Sequence, residues 1–200
     1  VHLRKVKLSD VDQLVIIHKE AFPDFFLTSL GEKFLKNYYY YSLKTNGSIA
    51  VCIENDHQEI QGFAVGCLES AGFHKRVFLK SPIIFILSIM TSFIKSPKVL
   101  LRLLKNFEKK ASDKDDKNYS ELLSIGVKPD CKGKGLGKVL LNEFEKEILK
   151  FNGKIIALTT DVSNNEGVIA FYESNGYMKA FEFMTYPERR MYKMIKNLKK

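Results

Sequence analysis

One stretch, Leu123-Ser-Ile-Gly-Val-Lys-Pro-Asp-Cys-Lys-Gly-Lys-Gly-Leu-Gly137, runs from an apolar strand through a glycine-rich turn into a helix. It limits what this chain can fold into more than any other segment. Gly133, Gly135 and Gly137 can take backbone angles closed to other residues, and they leave no side chain between main chain and ligand. From Leu136 the pattern turns helical, with Leu136, Val139, Leu140, Phe144 and Ile148 predicted on one face. Unpaired N–H groups and the positive end of that helix then point into the turn, beside Lys132, Lys134 and Lys138. Such a geometry binds a pyrophosphate.

Two well-known phosphate loops fail by one position each. The dinucleotide fingerprint G-x-G-x-x-G begun at Gly133 needs Gly where Lys138 stands, and the P-loop spacing needs Gly where Lys132 stands. What remains, Val127, Pro129, Lys132, Gly133, Gly135 and Gly137, is similar to the acyl-CoA loop of the GCN5-related N-acetyltransferases (GNAT family). Lys132 departs from the usual Gln or Arg before the first glycine and keeps only the charge. The bland alternative is a plain glycine-rich strand-to-helix turn. A second block resembles the same family: Asn165-Glu-Gly-Val-Ile-Ala-Phe-Tyr-Glu-Ser-Asn-Gly-Tyr177, behind the apolar strand Ile155-Ile-Ala-Leu-Thr159. The resemblance covers residues 119–186 strongly, 1–70 through element order, and 71–118 not at all.

The resemblance implies an α/β (α+β) architecture, a mixed, mostly antiparallel central sheet of about seven strands flanked by helices, with an insertion between the third and fourth. It also implies acetyl-CoA as co-substrate, its pantetheine arm entering between two splayed strands as strand addition does elsewhere. Carried over residue by residue, the donor site comprises Ile125, Gly126, Val127, Lys132, Gly133, Lys134, Gly135, Leu136, Gly137, Lys138, Asn165 and Tyr172. A main-chain N–H near Ile125 would stabilise the oxyanion. Tyr172, seven residues after Asn165, takes the position of the acid that protonates the departing thiolate; the competing reading is a core aromatic. Glu121, six residues before Val127, matches the acidic base of some members; the competing reading is a solvated strand-start glutamate, and Glu69 and Glu54 are alternatives. Asn165 suits a helix N-cap and a pantetheine contact equally. The loop joining the first two helices, Phe22 to Ser29, would wall the acceptor cleft.

With 200 residues and 45% hydrophobic side chains, the chain can fill one core, and a single domain over 1–200 is expected. Cys52, Cys67 and Cys131 form no paired framework, which favours a reducing cytoplasm. Cys131 has no visible histidine partner and is read as incidental. His2, His18, His57 and His74 lack ligand spacing, so no metal is expected. The longest uncharged apolar run, Ser81 to Ile94, falls short of the roughly 18 residues of a membrane span. Patterning predicts strand 3–6, helix 10–21 capped by Ser9 or Asp10, helix 28–43, and a hairpin of 49–54 and 60–68 turning at Asn55 to Gln58. Beyond the insertion it predicts strand 119–127, helix 136–150, strand 154–160, helix 165–174 and strands near 177–185 and 190–195.

Charge is uneven within a net +9. Residues 73–110 hold nine Lys or Arg against Glu108 alone, +8 in one segment, around two apolar stretches, Ile83 to Ile94 and Val99 to Phe107. Three readings compete: a helical hairpin packed on the domain or on a second subunit, as in a homodimer; a cradle for an anionic acceptor such as a nucleotide-linked amino sugar; a peripheral membrane contact. Nucleic acid is not expected, since no recognition motif accompanies the charge. The expected function is acetyl transfer to a primary amine by direct attack in a ternary complex, with a small-molecule amine acceptor first. A protein lysine or N-terminal amine, and a non-catalytic acyl-CoA-binding module, are the alternatives.

Overall fold

Every second residue of Ser120–Val127 is buried, the period-two burial of a strand inside a two-faced sheet. This strand is β4. It lies at the centre of seven, with β1 (His2–Lys5), β2 (Ser48–Glu54), β3 (Ile60–Cys67), β5 (Ile155–Asp161), β6 (Met178–Thr185) and β7 (Arg189–Asn197). The computed structural model describes residues 1–93, 115, 118–185 and 188–198. The strand order is β1-β2-β3-β4-β5-β7-β6, and every pairing is antiparallel except β4 with β5. That is the mixed, mostly antiparallel sheet expected.

Helices α1 (Val11–Ala21), α2 (Phe26–Ser29), α3 (Glu32–Leu43), α4 (Phe73–Leu79) and α5 (Pro82–Phe93) precede β4, while α6 (Leu136–Lys150) and α7 (Glu166–Ser174) follow it. Apolar side chains at helical spacing drive them onto both faces of the sheet. Leu14, Ile17, Phe34, Tyr39, Val77 and Phe85 pack with Phe63 and Val65 on one side. Leu140, Phe144, Ile148 and Tyr172 pack with Ile156, Leu158 and Met194 on the other.

Several local expectations are corrected. Helix 28–43 is two helices, because Gly31 takes φ +91° and ends the first. Asp10 precedes α1 but makes no side-chain cap bond; its carboxylate accepts the Lys7 N–H at 2.7 Å and pairs with Arg4. On α6, Val139 faces outward at 41% exposure, and Leu141 takes its place in the core. The first apolar stretch of the insertion forms α5, which packs with α4 against α3 through Phe34, Tyr41, Phe78 and Phe85. The expected second arm, 99–107, lies outside the described residues.

Candidate active site

β4 and β5 pair only from Ser120↔Ile156 to Leu122↔Leu158. Past that point the strands separate, although β4 continues to Val127 and β5 to Asp161. The separation begins at a bulge. In the β3 register Val65 faces Ser124 and Gly66 faces Leu122, so Leu123 has no partner across the ladder. Gly66 permits this crossing, since a Cβ there would lie 2.1 Å from the Glu121 carbonyl oxygen and 2.5 Å from the Phe144 ring. The inner edges of the two strands, beyond Leu122 and Leu158, line a cleft of about 1050 Å³.

At one end of the cleft stands the glycine loop. Gly133 and Gly135 have φ of +76° and +77°, the left-handed region, and a Cβ at either would meet nothing within 4 Å. Gly137 lies inside α6 without a positive φ, so its contribution is the space it leaves. The N–H groups of Gly133, Lys134, Gly135, Leu136 and Gly137 have no main-chain acceptor among the described residues. They form an anion cradle at the α6 N-terminus, reinforced by Lys132 and Lys138 on the wall. Lys134 is exposed and lies off the wall. Ile125, Val127, Leu136 and Gly137 line the cleft, whereas Gly126 packs instead toward Phe22 and Phe63.

Tyr172 and Asn165 reach the cleft from α7 and its start. Tyr172 is 7% exposed, sits edge-on to Phe171 and Tyr177, and has no hydrogen-bond partner for its hydroxyl among the described residues. Burial raises its pKa, so the phenol keeps its proton. Asn165 occupies the N-cap position without a side-chain cap bond. Its amide donates to Thr160 Oγ1 at 2.7 Å and to the Asp161 carbonyl at 2.9 Å, which pins α7 to the end of β5 and turns the carbonyl of the amide elsewhere.

Glu121 is placed differently from the expectation. It does not line the cleft, and its carboxylate accepts hydrogen bonds from Lys193 Nζ at 2.7 Å and Ser70 Oγ at 2.5 Å. Burial opposes the charge, but the Lys193 ammonium and the Ser70 hydroxyl prevail and hold the carboxyl below its usual range. A carboxylate so stabilised is a weak base. Glu69 is exposed and Glu54 is paired with Arg4; neither lines the cleft. His18, read from the sequence as one of four histidines without ligand spacing, is buried and yet part of the wall. Its Nδ1 lies 2.6 Å from the Tyr39 hydroxyl, its Nε2 has no hydrogen-bond partner among the described residues, and burial pushes its pKa down to about 4. Cys131 also lines the wall, its thiol donating to Gln61 Oε1 at 3.0 Å and kept protonated by burial.

Phe22, Pro23, Asp24 and Phe25 also line the cleft, so the expected acceptor wall narrows to the first half of Phe22 to Ser29. Arg189 joins this wall to the end of β5: it grips the Asp161 carboxylate with two nitrogens and lies 4.7 Å over the Phe25 ring. Neither the bulge at Leu123 nor the Asp161–Arg189 fork had a sequence signal, since both depend on which strands meet. No described residue of α4 or α5 lines the cleft. Among the described residues no cluster of His, Cys, Asp or Glu could hold a metal, and no helix is long and apolar enough to cross a membrane.

Comparison with known proteins agrees with this geometry. The ribosomal-protein-S18-alanine N-acetyltransferase of Escherichia coli superposes with a TM-score of 0.62 at 16% identity, covering 100% of this chain and 94% of that one. Naa20 of Chaetomium thermophilum, solved with a bisubstrate analogue, gives 0.59 at 18% identity over 99% and 87%. A spermidine N-acetyltransferase SpeG chimera from Vibrio cholerae and hSSAT gives 0.60 at 14% over 98% and 96%. No curated protein sequence matches. The sequence model of the Acetyltransferase (GNAT) family matches residues 11–177, and with the split strands, the glycine cradle and the Tyr172 wall this chain belongs to the GNAT family of N-acetyltransferases.

Proposed function

We propose that the protein transfers acetyl from acetyl-CoA directly to a primary amine of a small molecule within a ternary complex. The observation that carries this reading is the cleft itself: an anion cradle at one end, unpaired strand edges along it, and a protonated phenol on its wall. The donor fits these residues. The pyrophosphate suits the N–H groups of Gly133 to Gly137 with Lys132 and Lys138, and the pantetheine amides suit the open edges of β4 and β5. When bound, the donor supplies an activated acetyl thioester. Main-chain N–H groups of β4 near Ile125 stabilise charge on the carbonyl oxygen, and Tyr172 gives its proton to the departing sulfur.

The acceptor must reach the carbonyl as a free amine. Glu121 sits behind the wall in its ion pair, and His18 is held far below neutrality; both are poor bases. In our reading the proton leaves to water in the cleft, and Glu121 serves as the anchor of the bulge. Asp24, exposed at the acceptor end and outside every ion pair among the described residues, suits an amine arriving as ammonium. The basic segment lends no support to an anionic acceptor, because its described part lies away from the cleft. A protein N-terminal amine remains the alternative acceptor. We place the protein in the cytoplasm, as three free, buried cysteines suit a reducing compartment.

The test is calorimetric titration with acetyl-CoA, desulfo-CoA and ATP, followed by thiol release across small amines and peptides. Saturable binding of acetyl-CoA but not ATP, and turnover with small amines, are expected. Absence of acetyl-CoA binding in folded protein overturns the donor assignment, and turnover confined to peptides overturns the small-molecule one.

A further inference from the structure

Helix α5 is apolar on both sides. Its inner side presents Phe85 and Ser88 to α3, where Ser88 Oγ accepts a hydrogen bond from Asn37 Nδ2 at 2.6 Å. Its outer side carries Ile83, Ile86, Leu87 and Met90 at 71, 58, 55 and 56% exposure. Their spacing of 3, 1 and 3 residues puts the four on one helical stripe about 100° wide. Leu79, at 63%, ends the preceding helix. Single exposed apolar residues occur on any surface, but a contiguous stripe of large ones marks a surface that something covers.

Charge says what covers it. Residues 71–93 carry Lys75, Arg76 and Lys80 and no acid. Across the groove beside Ile84 and Leu87 stand Lys33 and Lys36, the latter paired with Asp12 at 2.6 Å, so this border of the apolar stripe keeps a net positive charge through Lys33. A second copy of this chain, docking face to face about a two-fold axis, would bring basic rim against basic rim, in a protein whose net charge is already +9. An anionic lipid surface satisfies both features at once: it takes the apolar side chains below its headgroups and the lysines at their level. A helix of 12 residues lies in such an interface and does not span it.

We propose that the outer face of α5, with its lysine border, docks the protein on anionic membranes, so that acetyl transfer takes place beside a bilayer. The lipid is recognised by negative headgroup charge and by insertion of Ile83, Ile86, Leu87 and Met90.

The test is flotation with vesicles of phosphatidylcholine alone and of phosphatidylcholine with phosphatidylglycerol, at low and high salt. Binding to the anionic vesicles only, weakened by salt, is expected. Ile83→Glu/Leu87→Glu should lower the affinity on the order of tenfold or more, and Lys75→Glu/Lys80→Glu should lower it by about fivefold for each lysine removed. Both pairs of side chains lie outside the cleft, so melting temperature and acetyl-CoA binding, read on the same preparations, should stay unchanged. Absence of binding at low salt overturns the proposal, as does equal binding by the Ile83→Glu/Leu87→Glu variant. A dimer in sedimentation equilibrium that this variant dissolves, without lipid binding, would assign the face to a second copy and overturn it too. Failure of acetyl-CoA binding alone would overturn the enzymatic reading and leave this one standing.

Discussion

Tyr172 and Glu121 show how far one side chain's role depends on its surroundings. The phenol has no competing hydrogen-bond partner among the described residues and meets the cleft, so in the proposed reaction its proton is the one offered to the departing sulfur. Tyr172→Phe removes one oxygen without opening a cavity, and kcat should fall by about 100-fold or more while acetyl-CoA affinity holds; unchanged turnover in steady-state assays would exclude it as the acid. The Glu121 carboxylate is spoken for by Lys193, whose ammonium is itself kept protonated by the pair despite burial. Glu121→Gln leaves a buried charge without its counter-ion and should destabilise by about 3 kcal/mol in urea melts, with a kcat change well short of the about 100-fold that loss of a general base brings. If no enzymic base operates, kcat/KM should climb about tenfold per pH unit up to the acceptor's own pKa, near 10 for an alkylamine. A plateau near neutrality in the pH profile would show that a protein group takes the proton.

At the scale of elements, the site is made by strands that stop pairing. The bulge at Leu123 and the short β4–β5 ladder open the cleft, Gly66 lets β3 pass the bulge, and the Asn165 amide holds α7 where Tyr172 can reach inward. The glycine loop depends on two left-handed residues. Gly135→Ala has room for its methyl group but must hold φ +77°, at about 1 kcal/mol of strain, so the loop should relax away from the cradle geometry. Calorimetry should find acetyl-CoA bound at least tenfold more weakly, with the global melting temperature nearly unchanged; undiminished affinity would show that the cradle does not hold the pyrophosphate.

For the whole molecule, buried titratable groups set how stability varies with acidity. His18 titrates near 6.5 when unfolded and about 4 when folded, so the unfolded chain binds the extra proton between those values. Stability should therefore be fully present above pH 6.5 and decline as pH falls toward 4, by about 3 kcal/mol at full extent. The Glu121 contribution has its pH dependence lower down, being present above the unfolded pKa of 4.5 and lost as pH falls through the depressed folded value. Urea melts from pH 4 to 7 should show the His18 slope, and His18→Gln should flatten it. What the sequence by itself determined are the features written in local chemistry: helix 136–150 from its spacing and the glycines before it, the strands from their alternation, and the glycine-rich turn between β4 and α6 from the order strand, loop, helix. The break at Gly31 was written there too, in a residue free to turn left-handed. What only the tertiary structure decided are the features made by residues far apart in the chain. Lys193 reaches Glu121 across 72 positions, Arg189 reaches Asp161 across 28, and His18 enters the wall because α1 lies over β4. Local patterning records the face a side chain takes on its own element, whereas its partners are set by which elements the sheet brings together, and no spacing encodes that.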